Sequence, residues 1–213
     1  MKHIVFHFDI VSPYAYLAFE RLPQALEGLS YSVSYRPVLF GAMLKQHGQL
    51  GPAEIPGKRA WTYRQVLWLA RELGIPLALP ATHPFNPLPL LRLALSTSAD
   101  GDVSRHVAET LLRAVWRDGG EPADPARIAA LAAGLQRLRD PEGAEVRAQL
   151  RTNTEQAIAA GVFGVPTYAV EGELLWGLDA LPMLRALLEG DDWFAGDAWK
   201  QAADRPGLTR SRG

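Results

Sequence analysis

The stretch Phe6–Ala18, FHFDIVSPYAYLA, combines a buried strand, a turn and the start of a helix. Large apolar residues dominate up to Phe8, which is typical of a strand that is buried on both faces or nearly so. Ser12 is a residue type that accepts hydrogen bonds from the free amides of a helix start, and Pro13 suits the first helical position. We therefore expect a strand to end near Phe8 and a helix to begin at Pro13.

A second strand follows this helix. Gly28 is expected to end the helix, and Pro23 to kink it or split it in two, because proline lacks the amide hydrogen that a helix interior uses. Apolar and polar residues then alternate over residues 31–36, and Pro37 closes the run. The first 38 residues or so thus predict a β-α-β unit, whose crossover is right-handed if the two strands are parallel.

The middle of the chain, from about residue 39 to 154, has helical periodicity and no convincing strand pattern. Residues 41–57 contain several glycines and prolines and are expected to form a loop. Trp61, Trp68 and Trp116 occupy helical positions that favour packing in the core over an aromatic ligand cage. Start and stop signals predict helices near residues 58–73, 88–98, 103–117, 125–138 and 141–160. The start signals include Asp102, Asp124 and Asp140.

The end of the chain returns to strands. Residues 164–170 read as one strand, Glu171 and Gly172 as a hairpin turn, and residues 173–176 as the partner strand, before a last helix that begins at Asp179. This order predicts an α/β, thioredoxin-like fold, βαβ…ββα, interrupted by a large all-helical insertion. The expected domains are residues 1–38 with 155–190, the insertion 39–154, and an extension 191–213 whose polar end is expected to be mobile.

Composition excludes several classes of function. Of the 213 residues, 48% are hydrophobic and 21% charged, and the net charge is -1, which gives no reason to expect nucleic acid or a membrane as a partner. No run approaches the ~20 apolar residues of a membrane span and no secretory signal is recognisable, so a cytoplasmic location is expected. The five histidines are scattered, and no metal site is expected.

Ser12 is the first candidate functional residue. The start of a helix presents free amides and the positive end of the helix dipole, which stabilise a sulfur anion. Thioredoxin-type disulfide oxidoreductases carry Cys-x-x-Cys at this junction, but this chain has SPYA at residues 12–15 and no cysteine. Disulfide exchange by the protein's own sulfur is therefore impossible, and a bound thiol would have to supply the thiolate. The alternative is that Ser12 only caps the helix.

Two further stretches offer backbone groups to a peptide ligand. Val165-Pro166-Thr167 places a proline at a strand start, where thioredoxin-like folds hold a cis peptide that leaves the backbone of Val165 free to pair with an extended peptide such as glutathione. Asp179 is expected to cap a helix whose N-terminus could receive a γ-glutamyl carboxylate, with Asp179 facing the amine. The alternatives are an ordinary trans proline and a simple helix cap.

A few other side chains could complete a pocket. Lys58, at the mouth of the insertion, could pair with a carboxylate of a ligand or substrate. His83, Phe85 and Asn86 lie in the loop before a helix and could line the pocket. The alternatives are a solvated lysine and ordinary turn chemistry.

The stretches Phe8–Leu17, Gly164–Thr167 and Trp176–Asp179 occur in this order around a helical insertion. Together they resemble the 2-hydroxychromene-2-carboxylate isomerases and the related kappa-class glutathione transferases, both in the DsbA-like branch of thioredoxin folds. The resemblance spans roughly residues 3–190. It implies a homodimer with glutathione as cofactor, a small molecule as substrate, and a setting in the degradation of aromatic compounds.

The resemblance also implies roles for individual residues. Ser12 would be catalytic, because it would hydrogen-bond the glutathione sulfur and favour its thiolate, and Val165, before a cis Pro166, would pair with the cysteinyl backbone of glutathione. The other glutathione-binding residues that it implies are Gln49, Lys58, Trp176, Gly177, Leu178 and Asp179. The substrate side would be formed by Lys45, His83, Phe85 and Asn86.

Two positions depart from the family's pattern. Gln49 stands where the family usually has Asn, and Leu178-Asp179-Ala180 stands where it usually has Asn or Gln followed by Asp-Arg. The loss of a side-chain amide and of an arginine is expected to weaken the binding of glutathione or to change the contribution of a neighbouring subunit to the site.

The implied reaction is a glutathione-assisted isomerisation of 2-hydroxychromene-2-carboxylate or a similar small conjugated aromatic acid. The thiolate would add to the substrate, a double bond would become a rotatable single bond, and elimination would release the isomer. Two other functions stay open at this point. One is a kappa-type glutathione transferase or peroxidase that uses the same thiolate, and the other is a non-catalytic thioredoxin-like binding module.

Overall fold

The computed structural model describes residues 1–202 and 204–205 of the 213-residue chain. Strand β1 (Lys2–Phe8), helix α1 (Pro13–Ala25) and strand β2 (Tyr31–Pro37) form the predicted β-α-β unit. The two strands are parallel and pair along their whole length. The polar end of the chain, residues 209–213, lies outside the described residues, so its expected mobility stays a prediction.

Helix α1 is not split at Pro23, so the expected split is wrong, while the alternative of a kink stays a prediction. Pro23 lies in the last turn, and the helix continues to Ala25. The amide of Leu26 then bonds the Leu22 carbonyl at 3.1 Å and closes the helix. Because Pro23 lies so close to the helix end, it removes one hydrogen bond, and almost no helix follows whose direction it could change.

The middle of the chain is helical, as predicted. A 3-10 turn (Pro52–Glu54) precedes the longest of these helices. In chain order the helices are α2 (Phe40–Gln46), α3 (Pro56–Leu73), α4 (Leu88–Ser96), α5 (Arg105–Trp116), α6 (Pro125–Ala133) and α7 (Ala144–Ala159).

Helix α2 corrects the expected loop over residues 41–57. Its first amides are bonded by side chains that are remote in sequence. The Leu39 amide donates to Thr154 Oγ1 at 3.0 Å, and the Phe40 amide donates to Asp9 Oδ2 at 2.8 Å. Because these caps are tertiary contacts, no start signal for α2 is present in the local sequence.

Two helix starts also differ from expectation. Helix α5 begins after Ser104, whose Oγ accepts from the Val107 amide at 3.3 Å, and not at Asp102. The Asp102 carboxylate instead pairs with Arg36 at 2.7 Å, so it is not available as a cap. The start expected at Asp140 falls at Ala144, while the start at Asp124 is confirmed.

The last strands complete one mixed sheet. Strands β3 (Thr167–Val170) and β4 (Glu173–Trp176) form the predicted hairpin, and β3 is antiparallel to β1, which gives the order β2-β1-β3-β4. A 3-10 turn (Leu178–Ala180) then leads into α8 (Leu181–Glu189). The described chain ends with a 3-10 turn (Asp192–Ala195) and α9 (Asp197–Ala202).

The sheet is covered on both faces. Leu175 belongs to the main core, whereas its neighbour Leu174 packs on a smaller cluster that includes Met43 of α2 and Ala157 of α7. Adjacent residues of a strand point to opposite faces, so the two clusters lie on opposite sides of the sheet. The main core also takes side chains from the helical insertion, and the proposed division into domains stays a prediction.

The three tryptophans of the helical middle differ in burial. Trp116 is fully buried, as predicted, but Trp61 and Trp68 are 63% and 52% exposed, so their assignment to the core is wrong. Helix α3 buries Thr62, Val66 and Ala70 instead. Trp61 and Trp68 are seven residues apart, which places both on another face of the same helix.

His7 is a buried titratable group in the middle of the sheet. Burial, and then the positive charge of Arg36, lower its pKa from 6.5 to about 4, while Asp102 acts in the opposite direction. The unfolded chain therefore takes up a proton near pH 6.5, whereas the folded chain takes it up only near pH 4. The folded state loses stability relative to the unfolded state as the pH falls through this window.

Replacing His7 by leucine should remove this pH dependence. As the pH falls from about 6.5 to 4, the unfolding free energy of His7→Leu relative to the wild type should rise by up to about 1.4 kcal/mol per pH unit. Urea denaturation at several pH values measures the difference. His106→Leu, at an exposed position of α5, is the control. A constant difference between His7→Leu and the wild type would contradict the prediction.

Candidate active site

Ser12 lies where strand β1 passes into helix α1. Its hydroxyl accepts from the Ala15 amide at 3.2 Å, which confirms the predicted N-cap, and Pro13 is the first helical residue. The same hydroxyl donates to the Val165 carbonyl at 3.4 Å, across 153 residues of sequence. The Val165-Pro166 peptide is cis, as predicted. Two of the residues that the sequence singled out are therefore in contact.

Two ring side chains, the buried Trp116 and the partly buried His83, fix the backbone just before Ser12. The Trp116 indole donates from Nε1 to the Ile10 carbonyl at 2.8 Å, and His83 Nε2 is 2.8 Å from the Val11 carbonyl. A carbonyl only accepts, so Nε2 of His83 carries the hydrogen. The turn between β1 and α1 is thereby held from the side of the helical insertion.

His83 has both ring nitrogens engaged. Its Nδ1 and its backbone carbonyl oxygen both lie 2.9 Å from the Tyr63 hydroxyl, whose single hydrogen can be donated to one of them at a time. Burial is the main cause that lowers the pKa of His83. His83, which was predicted to lie on the substrate side, is therefore a neutral side chain that donates a hydrogen bond to the Val11 carbonyl. Phe85 is buried beside it, with ring centroids 6.1 Å apart.

Asp9 was not predicted as a site residue, although it belongs to the stretch that decides the fold. It is fully buried, and its carboxylate accepts from the Val11 amide at 3.0 Å and from the Phe40 amide at 2.8 Å. Burial raises its pKa to about 7, against the effect of these hydrogen bonds. Asp9 joins the turn before Ser12 to the start of α2. The sequence signal was a carboxylate directly after a buried, mostly apolar strand end.

Tyr14 is a second residue that the sequence reasoning missed. It follows Pro13 in the first turn of α1, and its hydroxyl donates to Gln65 Oε1 of α3 at 2.7 Å. Burial raises its pKa, the hydroxyl of Thr62 lowers it, and the negative charge of Asp179 raises it. Tyr14 therefore connects the start of α1 to helix α3 and lies within electrostatic reach of Asp179.

Asp179 is not the helix cap that the sequence predicted. It lies inside the 3-10 turn Leu178–Ala180, which begins after Gly177, and its side chain is exposed. Gly177 has a φ of 104°, a conformation that favours glycine, and its amide donates to the Pro166 carbonyl at 3.0 Å. That bond places the Asp179 loop beside the cis-proline segment.

An exposed pair of aromatic rings borders the same segment. Phe163 and Trp176 are 46% and 55% exposed, and their ring centroids are 5.0 Å apart. The Trp176 indole lies over Gly164, where an added Cβ would be 2.6 Å from its Nε1. Glycine at position 164 therefore allows the indole to approach the backbone one residue before Val165.

The structure does not show contacts for every predicted site residue. Lys45 lies in the last turn of α2, Gln49 follows that helix, and Lys58 lies in the first turn of α3, all exposed. Asn86 is also exposed, and its Oδ1 accepts from the Leu88 amide at 3.1 Å, which is the turn chemistry considered as its alternative. The ligand roles of these residues stay predictions.

Neither a membrane-spanning helix nor a metal-binding group of side chains is present among the described residues. Within residues 1–202 and 204–205, no helix is long and apolar enough to cross a membrane. In the same residues, no three or more His, Asp or Glu side chains are grouped so that they could hold a metal ion.

The sheet order, the helix that starts at Ser12 and the cis-proline segment define a thioredoxin-like protein of the DsbA type. Residues 3–189 match the model of the DSBA-like thioredoxin domain family, and the chain belongs to that family. The predicted fold class is thus confirmed.

Individual relatives bear the names that the sequence motifs suggested. The chain is 27% identical over 207 residues to glutathione S-transferase kappa 2 of Caenorhabditis elegans, covering 88% of this chain and 92% of the relative. It is 29% identical over 192 residues to 2-hydroxychromene-2-carboxylate isomerase of Pseudomonas putida, covering 86% and 92%. A solved structure of a 2-hydroxychromene-2-carboxylate isomerase has the same fold, with a TM-score of 0.73, 24% identity and coverage of 95% and 98%.

The hydrogen bond from Trp116 to Ile10 should contribute measurably to stability. Trp116→Phe removes the indole N–H, leaves a buried carbonyl without its donor and creates a small cavity, so we expect a loss of about 2–4 kcal/mol in unfolding free energy. Urea denaturation measures the loss. Trp68→Phe makes the same change at an exposed position and should alter stability by less than about 0.5 kcal/mol. Equal effects of the two substitutions would contradict the prediction.

Proposed function

We propose that this protein is a glutathione-dependent isomerase that acts on 2-hydroxychromene-2-carboxylate or a similar small conjugated aromatic acid. The proposal rests above all on one observation, the Ser12 hydroxyl at the start of α1 facing the Val165 carbonyl before a cis proline. The relatives named above, an isomerase and a kappa-class transferase, supply the class of reaction.

The first step of the proposal is binding of the glutathione sulfur at Ser12. The free amides and dipole of α1 favour a thiolate over a thiol at this position. The hydroxyl of Ser12 is an additional donor. Its present bond to Val165 is 3.4 Å long, beyond the ordinary range for an O–H···O bond, so little is lost when the hydroxyl turns towards a sulfur anion.

The second step is pairing of the tripeptide along the cis-proline segment. The cysteinyl backbone of glutathione would run beside Val165 as an added strand. Its γ-glutamyl end would then reach the loop of Gly177, Leu178 and Asp179, where the exposed carboxylate of Asp179 suits an amine. Its glycyl end would point to Gln49 and Lys58, of which the lysine suits a carboxylate.

The third step is the reaction itself. In the ring-opened form of the chromene, in which the hemiketal has become a phenol and an α-keto acid, the thiolate would add to the carbon end of the conjugated system, so that a carbon–sulfur bond forms and the electron pair moves to the ketone oxygen. The former double bond then rotates as a single bond. Return of the electron pair breaks the carbon–sulfur bond and releases the isomer and the unchanged thiolate. The Phe163–Trp176 pair offers an apolar surface beside this position for the aromatic part of the substrate.

Two other functions are separated from this one by simple assays. A kappa-type transferase or peroxidase would use the same thiolate, so conjugation of a chloronitroarene and reduction of a peroxide should be assayed beside the isomerisation. A non-catalytic binding module would show no activity in any of these assays. The proposed homodimer comes from the same family resemblance, and gel filtration tests it. The cytoplasmic location stays a proposal.

Replacing Ser12 by alanine tests the proposal. The bound thiolate loses a hydrogen bond worth about 1.5–3 kcal/mol, so the pKa of enzyme-bound glutathione should rise by about 1–2 units and turnover should fall by about tenfold or more. Absorbance of the thiolate near 240 nm, followed against pH, measures the pKa.

Ser104→Ala is the matched control, because Ser104 is also an N-cap serine whose Oγ accepts from a helix amide. It should cost about 1 kcal/mol of stability and leave the pKa of bound glutathione unchanged. An unchanged pKa and rate in Ser12→Ala, or no saturable binding of glutathione by the wild type, would refute the proposal.

A further inference from the structure

A second concave site lies between α2, α4 and α7. Its volume is about 320 Å³. Apolar side chains of all three segments form its floor, and arginines of α4 and α7 stand at its edge. The floor includes Leu39, Leu88 and Leu150, and the arginines are Arg92, Arg147 and Arg151.

The charges at this groove are not balanced. Arg92 and Arg147 both donate to one oxygen, Oε2 of Glu142, each at 3.0 Å. Arg151, one turn further along α7, adds a third guanidinium, and Glu155 is the acidic side chain that lines the groove itself. Three cations therefore face two carboxylates, and one positive charge is left over.

Arg92 also lacks a hydrogen-bond acceptor. Its Nη1 is bonded to Glu142, but its Nε is shielded from solvent and has no partner. Arg139 Nε is likewise shielded from solvent and without a partner, whereas other arginines use the Nε edge. Arg36 and Arg113 each bind both oxygens of a carboxylate through Nε and Nη2, at 2.6–3.0 Å. A buried donor without an acceptor is unusual and costs stability, so Arg92 is one acceptor short of the arrangement at Arg36 and Arg113.

We propose that this groove binds a small organic carboxylate with an apolar body. The carboxylate would supply the missing acceptor after a small rotation of Arg92 and would offset the excess positive charge. The apolar body would cover Leu39, Leu88 and Leu150. Guanidinium groups suit carboxylates because their parallel N–H groups match the two oxygens.

This groove does not include the residues of the proposed glutathione site. Ser12, Val165 and Asp179 do not line it, and its residues come from the start of α2 and from the helices α4 and α7. The inference therefore does not depend on the proposed function. It adds a second ligand to the molecule, held by the helical insertion.

Calorimetric titration with 3-phenylpropionate tests the inference. The wild type should bind it saturably, with a Kd of about 1 mM or lower, and should bind the uncharged 3-phenylpropan-1-ol at least about tenfold more weakly. Arg151→Gln should weaken binding of the acid by about five- to tenfold and Arg92→Gln by about tenfold or more. Arg151 has no ion pair to lose among the described residues, so Arg151→Gln should fold normally.

Two controls separate this groove from other sites. Arg64→Gln, at an exposed position of α3, and Ser12→Ala should both leave the affinity for 3-phenylpropionate unchanged. The inference is refuted if Ser12→Ala weakens binding and Arg151→Gln does not, because the acid then lies beside Ser12. It is also refuted if the acid does not bind, or if Arg151→Gln changes the oligomeric state, which would mean that a second copy of the chain covers the groove.

Discussion

The buried turn between β1 and α1 is the constraint on which the rest of the structure depends. Its backbone carbonyls are withdrawn from water and need donors. The chain supplies them from a distance, with the indole of Trp116 at Ile10 and the ring of His83 at Val11. Asp9 binds the amide of Val11 in the same turn. Ser12 therefore sits at the end of a segment whose polar groups are fixed by contacts that span much of the chain.

These contacts also explain what the helical insertion does for the site. The Asp9 carboxylate accepts from the first amide of α2, and the Tyr14 hydroxyl donates to Gln65 of α3. Trp116, the last residue of α5, donates to the Ile10 carbonyl. The insertion is thus tied to the start of α1 at three points. The thioredoxin-like part supplies the helix start and the cis-proline segment, and the inserted helices fix the turn before the helix start. The electrostatic environment of Ser12 is a property of the two parts together.

The features predicted correctly from sequence are those fixed by neighbouring residues. The Ser12 cap, the elements of the βαβ unit and the hairpin each follow from side chains within a few positions. The cis bond at Pro166 was expected from the place of this proline in thioredoxin-like folds. The errors have a common cause. Helix α2 is capped by remote side chains, Asp102 is occupied by Arg36, and the faces of α3 are decided by what packs on them. Site residues such as Asp9 and Tyr14 were missed because their partners are visible only once the chain is folded.

The contact between Ser12 and Val165 joins positions 153 residues apart, with the helical insertion between them. During synthesis, β1 and α1 leave the ribosome long before β3 and the cis-proline segment exist. The site therefore cannot form on a partial chain, and its two halves meet only when the last strands add to the sheet. A ligand that needs both the Ser12 hydroxyl and the Val165 backbone could therefore bind only after the last strands have joined the sheet.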